Sequence, residues 1–313
     1  MAPIVTPTNA TLGAVVTGLA LGRLDAPTWK VVEQAFLRHA VLIFPEQHLT
    51  EAEQVAFARR FGEIELLAPS AEQKAVAISN VKPDGTIMGA DEHRYKALRG
   101  NEGWHTDSSY MPLAAKASCL SAQVVPSAGG ETEWADMRAA YDALEEATRQ
   151  RIAGLSAHHS LYHSQAKIGH IVETGAAYGY HTKGAPLRPL VKVHPVTGRP
   201  ALFIGRHAYG VPGLAEPASE QLLADLVDSP AGLRAPTPTP GGPATSSSGT
   251  TAACSTGRGP TTTARRASCA IPAWRAIRPP SWHPPIVTRT PARTSRPTPI
   301  DSAGDAGSQR RRR

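Results

Sequence analysis

Apolar residues in the first two-thirds of the chain fall into short runs broken by Pro, Gly and charged residues, a pattern that predicts alternating strands and helices. Pro27 opens a helical stretch with Val31, Val32, Ala35 and Phe36 on one side, leading into the strand Val41-Leu42-Ile43-Phe44. Thr50 and Glu53 have the spacing of a capping box and open a helix through Ala56, Phe57 and Phe61. Val76 to Asn80 and Ala117 to Val125 read as strands, the second followed by a turn over Pro126-Ser127-Ala128-Gly129-Gly130. Asp136 caps a helix from Met137 to Leu144 and beyond. Leu190 to Val193 and Ala201 to Ile204 flank His194-Pro195-Val196-Thr197-Gly198 as a hairpin, and Gln221 to Val227 forms a short amphipathic helix. Short strands with a few helices around them predict a jelly-roll or barrel core with helical decoration.

Composition divides the 313 residues in two. From Ser229 onward there are 13 Arg, no Lys, no Phe or Tyr, and two acids, Asp301 and Asp305. That segment carries +11, so residues 1–228 carry −4 of the total +7. The basic balance therefore belongs to a low-complexity tail of Pro, Thr, Ser, Ala, Gly and Arg. Such a segment is expected to be disordered, because it cannot bury enough apolar surface to offset its chain entropy. With Trp274 and Trp282 as its only aromatics it is also a poor nucleic-acid binder. Cys119, Cys254 and Cys269 are few and unpatterned, which argues against a disulfide framework or a zinc site. No apolar run is long enough for a membrane span and the start lacks a signal-peptide pattern, so the expected setting is cytoplasmic. The sequence leaves a homo-oligomer open.

The candidate chemistry sits in Trp104-His105-Thr106-Asp107. On a strand, positions i and i+2 share a face, so the imidazole of His105 and the carboxylate of Asp107 could grip one metal ion. Together with a distant histidine they would form the facial triad of non-haem Fe(II) oxygenases. A lone H-x-D is a weak signal, since a surface His–Asp pair gives the same letters.

Its surroundings raise that signal. Val41-Leu42-Ile43-Phe44, Ala56-Phe57-Ala58-Arg59-Arg60-Phe61-Gly62, Ile78-Ser79-Asn80, Trp104 to Ser109, Leu120-Ser121-Ala122, Gly129 to Trp134, Asp136 to Tyr141 and Leu202-Phe203-Ile204-Gly205 occur in one order. That series resembles the TauD/TfdA family of Fe(II)/2-oxoglutarate-dependent dioxygenases across almost all of residues 1–228, nearer its chlorophenoxyacetate branch than its taurine branch. The resemblance implies a double-stranded β-helix (jelly roll) with flanking helices, with Fe(II) as metal and 2-oxoglutarate and O2 as co-substrates. It implies that His105 and Asp107 are metal ligands and that Thr132 donates its hydroxyl to a 2-oxoglutarate carboxylate. It implies hydroxylation of a small, anionic organic substrate with release of succinate and CO2. His207 and Asn80 are candidates for the substrate pocket, each with a plainer reading, a surface-loop histidine and a strand end. His158, His159, His163 and His170 lie in a stretch with the position of a lid; their spacing fits no metal site, and solvated side chains are expected. Trp104 is expected to pack beside the ligands. The alternative to an enzyme is a jelly-roll remnant that binds ligand or metal without turnover.

The family's distal histidine, in a W-D-N-R-x-x-x-H-R-like segment, and its later 2-oxoglutarate arginine have no counterpart after Val227. The tail's one histidine, His283, stands in Trp282-His283-Pro284-Pro285 without strand context. A tail of this composition is what a GC-rich gene yields when read out of frame. Taking the last base of each codon with the first two of the next, Thr245 to Thr262 permits L-V-V-W-D-N-R-x-V-L-H-R-x-R-P-Y-D-Y, and Ala267 to Ile277 permits V-M-R-H-T-R-x-A-G-D. Both missing motifs return in one frame and in order. The expected organisation is a truncated dioxygenase domain over 1–228 and an out-of-frame tail over 229–313, with a frameshift near Asp228–Ser229. The nucleotides of codons 245–277 are expected to encode those two strings in the shifted frame; third bases that forbid them would end this reading.

Overall fold

In the computed structural model, the described residues are 2–65, 75–100, 103–124, 132, 134–175 and 179–228, with strand segments at 234–235, 246–250, 268–271 and 274–275. The turn expected at 126–130 and His283 lie outside them. All described residues belong to the unit Met1–Ile277.

The chain starts with a hairpin, β1 (Ile4–Pro7) and β2 (Ala14–Thr17), which periodicity had not indicated. Helix α1 (Ala26–His39) follows, capped by the Asp25 carboxylate on Thr28 N. It buries Val32, Ala35 and Phe36, while Val31 turns partly to solvent. Its Ala40 end leads directly into β3 (Val41–Phe44), buried along its whole length. The capping box forms as expected on α2 (Glu51–Ala58): Thr50 Oγ1 accepts from Glu53 N, and Glu53 accepts from Thr50 N. Trp29, Phe36, Phe44, Phe57 and Phe61 then pack edge to face, and these contacts hold α1 and α2 on the sheet.

After β4 (Glu63–Ile64) and β5 (Val76–Ser79), α3 (His93–Gly100) precedes the H-x-D segment, and β6 (Ala117–Val124) follows it. Beyond β7 (Trp134–Ala135), the single helix expected from Asp136 is two. These are α4 (Met137–Asp142) and α5 (Glu146–Ile152), with a break at Ala143 to Glu145. Next come β8 (Ser156–His159) and α6 (Leu161–Ala166), then β9 (Leu187–Pro189), β10 (Val191–Val193), β11 (Pro200–Leu202) and β12 (Ala208–Tyr209). The expected hairpin is present, with Val191 opposite Leu202. Helix α7 (Glu216–Asp228) starts a turn and a half earlier than its apolar pattern suggested, because Glu216 and Pro217 suit a first turn.

The last strands come from the region expected to be disordered. They are β13 (Arg234–Ala235), β14 (Ser246–Thr250), β15 (Ser268–Ile271) and β16 (Trp274–Arg275). β14 lies antiparallel between β3 and β6, and β15 between β6 and β5, giving a seven-stranded sheet of order β1-β2-β3-β14-β6-β15-β5. The physical reason is main-chain supply. β3 and β6 would otherwise present unpaired N–H and C=O groups, and any extended segment can satisfy those whatever its side chains. A three-stranded sheet, β12-β8-β9, and the β10–β11 ribbon complete the jelly roll. A second apolar cluster from α4, α5, β11 and α7 packs on that side, around Ile152, Leu190, Leu202 and Leu222.

One polar pair is sealed inside. Asp136 is 1% exposed, caps α4 through Arg138 N and Ala139 N, and takes Arg138 Nε and Nη2 at 2.8 and 2.9 Å. Arg138 also donates to Arg38 O and so ties α4 to α1. Burial pushes the Asp136 carboxyl up, but Arg138 and the helix amides outweigh it and hold the group below its usual value. The pair's stabilisation is therefore present above the ordinary aspartate range and is lost as pH falls through the lowered value. Asp136→Ala, which leaves a buried guanidinium unpaired, is expected to cost about 3–5 kcal/mol in urea unfolding at neutral pH.

Candidate active site

His105 and Asp107 do not lie on a regular strand, contrary to the geometry first assumed for them. Residues 104–106 have no regular structure and a turn starts at Asp107, with Ser109 N bonding to Thr106 O and Met111 N to Ser108 O. Ser108 takes a left-handed φ of 54°, and Thr106 is buried with its hydroxyl on Ile204 O. The turn swings Asp107 back towards His105, so the two side chains still converge. His105 Nε2 and Asp107 Oδ1 are 3.1 Å apart.

The outer atoms of both groups are held. His105 Nδ1 donates to Gly103 O at 2.8 Å, which leaves Nε2 as the inward-facing nitrogen. Ser118 Oγ, on β6, donates to Asp107 Oδ2 at 2.7 Å. Burial pushes the Asp107 carboxyl up, yet His105 and Ser118 outweigh it and keep the group below the usual carboxylate value. An imidazole nitrogen and a carboxylate oxygen thus point at one spot, with the second atom of each engaged elsewhere. This donor set suits a divalent metal and supplies two of three facial positions. No cluster of three His, Cys, Asp or Glu able to hold a metal occurs among the described residues.

The loop that carries the pair is fastened from the second half of the domain. Arg206 N donates to Trp104 O at 2.8 Å. Arg188, on β9, donates to Ser109 O, Met111 O and Pro112 O. Gly205 has φ 131°, and a Cβ there would meet Trp104 O at 2.9 Å and His105 Cα at 3.0 Å. Only a glycine lets the two backbones approach this closely. Trp104, half-buried, contributes its carbonyl to this junction.

His207 is not a surface-loop residue; it is 3% exposed and adjoins the pair. Its ring lies 5.5 Å from that of His105 and 4.8 Å from that of Tyr110. Ser164, on α6, gives its hydroxyl proton to Leu161 O, so His207 Nδ1 donates to Ser164 Oγ at 2.8 Å. Burial holds the His207 pKa well below the ordinary value, with His105, Arg206 and His159 adding to the effect. It is a neutral ring. Asn80 stands at the end of β5, its carbonyl accepting from Met88 N, which matches its plainer reading. Thr132 is half-buried two residues ahead of β7, and its neighbours 131 and 133 lie outside the described residues.

The expectation of solvated histidines at 158–170 fails at two of the four positions. His159 is 1% exposed because the pleat of β8 turns 157 and 159 inward; it stacks on Phe203, and burial with Arg188 and His158 pushes its pKa down to about 3. His170 is 7% exposed. Ser118, Ser164, Arg188 and Gly205 went unread in the sequence. A serine one strand away and a glycine serving another segment's backbone leave no local pattern, and only Gly205, at the end of an apolar run, offered a cue.

With this geometry in hand, the profile of the taurine catabolism dioxygenase TauD, TfdA family matches residues 5–229. The chain belongs to this family. It is similar to the (S)-phenoxypropionate/alpha-ketoglutarate-dioxygenase of Delftia acidovorans, 52% identical over 231 residues that cover 72% of this chain and 78% of that protein. It is 38% identical over 223 residues to the alpha-ketoglutarate-dependent 2,4-dichlorophenoxyacetate dioxygenase of Burkholderia sp. (strain RASC), covering 68% and 74%. The crystal structure of AAD-2 in complex with Mn(II) and N-oxalylglycine superposes with a TM-score of 0.77 at 28% identity, covering 90% of this chain and 100% of that one. By family the protein is a 2-oxoglutarate-dependent dioxygenase, an oxidoreductase with a jelly-roll fold. Among the described residues no helix is long and apolar enough to cross a membrane.

Gly205→Ala is expected to displace Trp104–His105 and to cost roughly 1–3 kcal/mol, the usual range for overpacking. Thermal unfolding reads the loss, and a shift of the His105 ring signals in NMR reads the displacement.

Proposed function

We propose that residues 1–228 are a dioxygenase domain that hydroxylates a small organic anion of the aryloxy-carboxylate kind, using Fe(II), 2-oxoglutarate and O2. The observation that carries this reading is the convergence of His105 Nε2 and Asp107 Oδ1, outer atoms engaged, in a chain of this family. His105 and Asp107 would hold the metal and Thr132 a 2-oxoglutarate carboxylate. When bound, Fe(II) with 2-oxoglutarate supplies an oxidation that releases succinate and CO2 and places oxygen on a C–H bond. The chain's own residues orient and exclude. Ser118 fixes which Asp107 oxygen faces the metal, Gly103 O fixes the His105 tautomer, and Tyr110 with His207 walls the site against water. His207 and Asn80 are kept as substrate-pocket residues. Being neutral, His207 would contribute ring surface and shape rather than charge.

We further propose that this chain is impaired, its distal histidine and 2-oxoglutarate arginine lost to a frameshift near Asp228–Ser229. Coincidence of place supports this. The shifted frame puts V-V-W-D-N over Ser246–Thr250 and M-R-H-T over Ser268–Ile271, the two segments whose backbones enter the main sheet beside β6. The second reading, a remnant that binds without turnover, has in its favour that only two donors converge among the described residues.

Four chains separate these readings. The protein as written is expected to bind Mn(II) weakly by electron paramagnetic resonance and to form no succinate from 2-oxoglutarate and a phenoxypropionate-type acid. The frame-restored chain is expected to do both. Asp107→Ala should abolish Mn(II) binding, and Ser118→Ala should weaken it by about 10- to 100-fold. Succinate formation by the protein as written would refute the impairment, and a frame-restored chain indifferent to Asp107→Ala would refute the metal assignment.

A further inference from the structure

Outside the metal pair, two more histidines meet. His93 opens α3 and His170 follows α6, and their Nε2 atoms are 2.6 Å apart with ring centroids at 4.2 Å. Proton placement there is fixed by a third group. His170 Nδ1 lies 2.9 Å from Gln165 Oε1, which can only accept, so Nδ1 carries a hydrogen and His170 Nε2 offers its lone pair. The hydrogen between the two rings therefore sits on His93 Nε2. The bond tolerates one further proton, on His93 Nδ1. A second proton, on His170 Nε2 once His93 is charged, sets N–H against N–H and two cations face to face.

Of the two elements so joined, α6 borders the site and α3 precedes it in the chain. α3 ends shortly before Gly103 and His105. α6 carries Ser164, whose hydroxyl holds His207 and whose carbonyl holds Arg206 Nη2, and Leu161, which packs on Tyr110 and Tyr180. The geometry points to a latch: His93 and His170 close α3 against α6 beside the site, and protonation of His170 releases them. Among the described residues the charged groups facing His170 are His93 and Lys96, both from α3; its other partner, Gln165, is neutral. Burial, then His93 and Lys96, lower the His170 pKa. With that sign, the closed state is fully favoured above the ordinary histidine value and is lost as pH falls through the lowered one. The latch needs no metal, so it stands or falls apart from the iron reading.

Amide hydrogen exchange of the full chain, without metal, at pH 7.5 and 5.0 and corrected for intrinsic rates, tests it. Protection in α3 and in 161–170 is expected to fall at least tenfold at pH 5.0 relative to α1 and β3. In His170→Gln the side-chain carbonyl accepts from His93 at both pH values, and the fall is expected to shrink below threefold. A second measurement guards against a variant that fails to fold. Imidazole 15N shifts of the unmodified protein should show His93 and His170 titrating as a coupled pair. Equal loss of protection in all elements, a wild-type fall in a folded His170→Gln, or independent titration of the two rings overturns the latch.

Discussion

Most of the site depends on one close approach of two backbones. Gly205 brings the chain after β11 against Trp104 and His105, and the next amide, of Arg206, bonds to the Trp104 carbonyl. Because those atoms touch, His105 is placed by main chain rather than by a flexible side-chain contact. Asp107 then needs only one turn and the Ser118 hydroxyl to face it. The same junction puts His207 two residues past the contact, next to His105 and in reach of Ser164. A site assembled on backbone contacts is held more firmly than one resting on flexible side chains, and positioned chemistry tolerates only about 0.5 Å of error.

Legibility in the sequence followed the range of the interaction. The α2 capping box, the Asp136 cap, the buried strand β3 and the β10–β11 hairpin all rest on contacts a few residues apart, and each was readable. The His105–Asp107 pair was readable as a candidate, though its supporting geometry is a turn with a left-handed Ser108. What could not be read joins distant segments. Ser118 on Asp107, Arg188 on the loop after it, and the burial of His159 and His207 leave no periodic trace. Histidine in particular misleads a reader of patterns, since polar letters suggest solvent while a stacked neutral imidazole packs as an aromatic ring, as His159 does on Phe203.

The tail shows how composition and topology can pull apart. Nothing in a run of Ser, Thr, Pro and Arg asks to be buried, but the sheet asks for main-chain partners on both sides of β6. The positions that β14 and β15 take beside β6 and the shifted-frame strings concern the same stretch of chain, from geometry and codon arithmetic respectively.

The order β3-β14-β6-β15-β5 also has a consequence in time. Phe44 and Ser121 emerge early from the ribosome, yet both pair with Ser246, which emerges far later. The middle of the sheet is therefore the last part able to close. Until then, β3 and β6 wait with their hydrogen-bonding edges open, in a nascent chain already long enough to find other partners. Any change at the 3′ end of the gene is thus felt first in the oldest part of the newborn protein, as a longer exposure to chaperones, to proteases and to neighbouring chains.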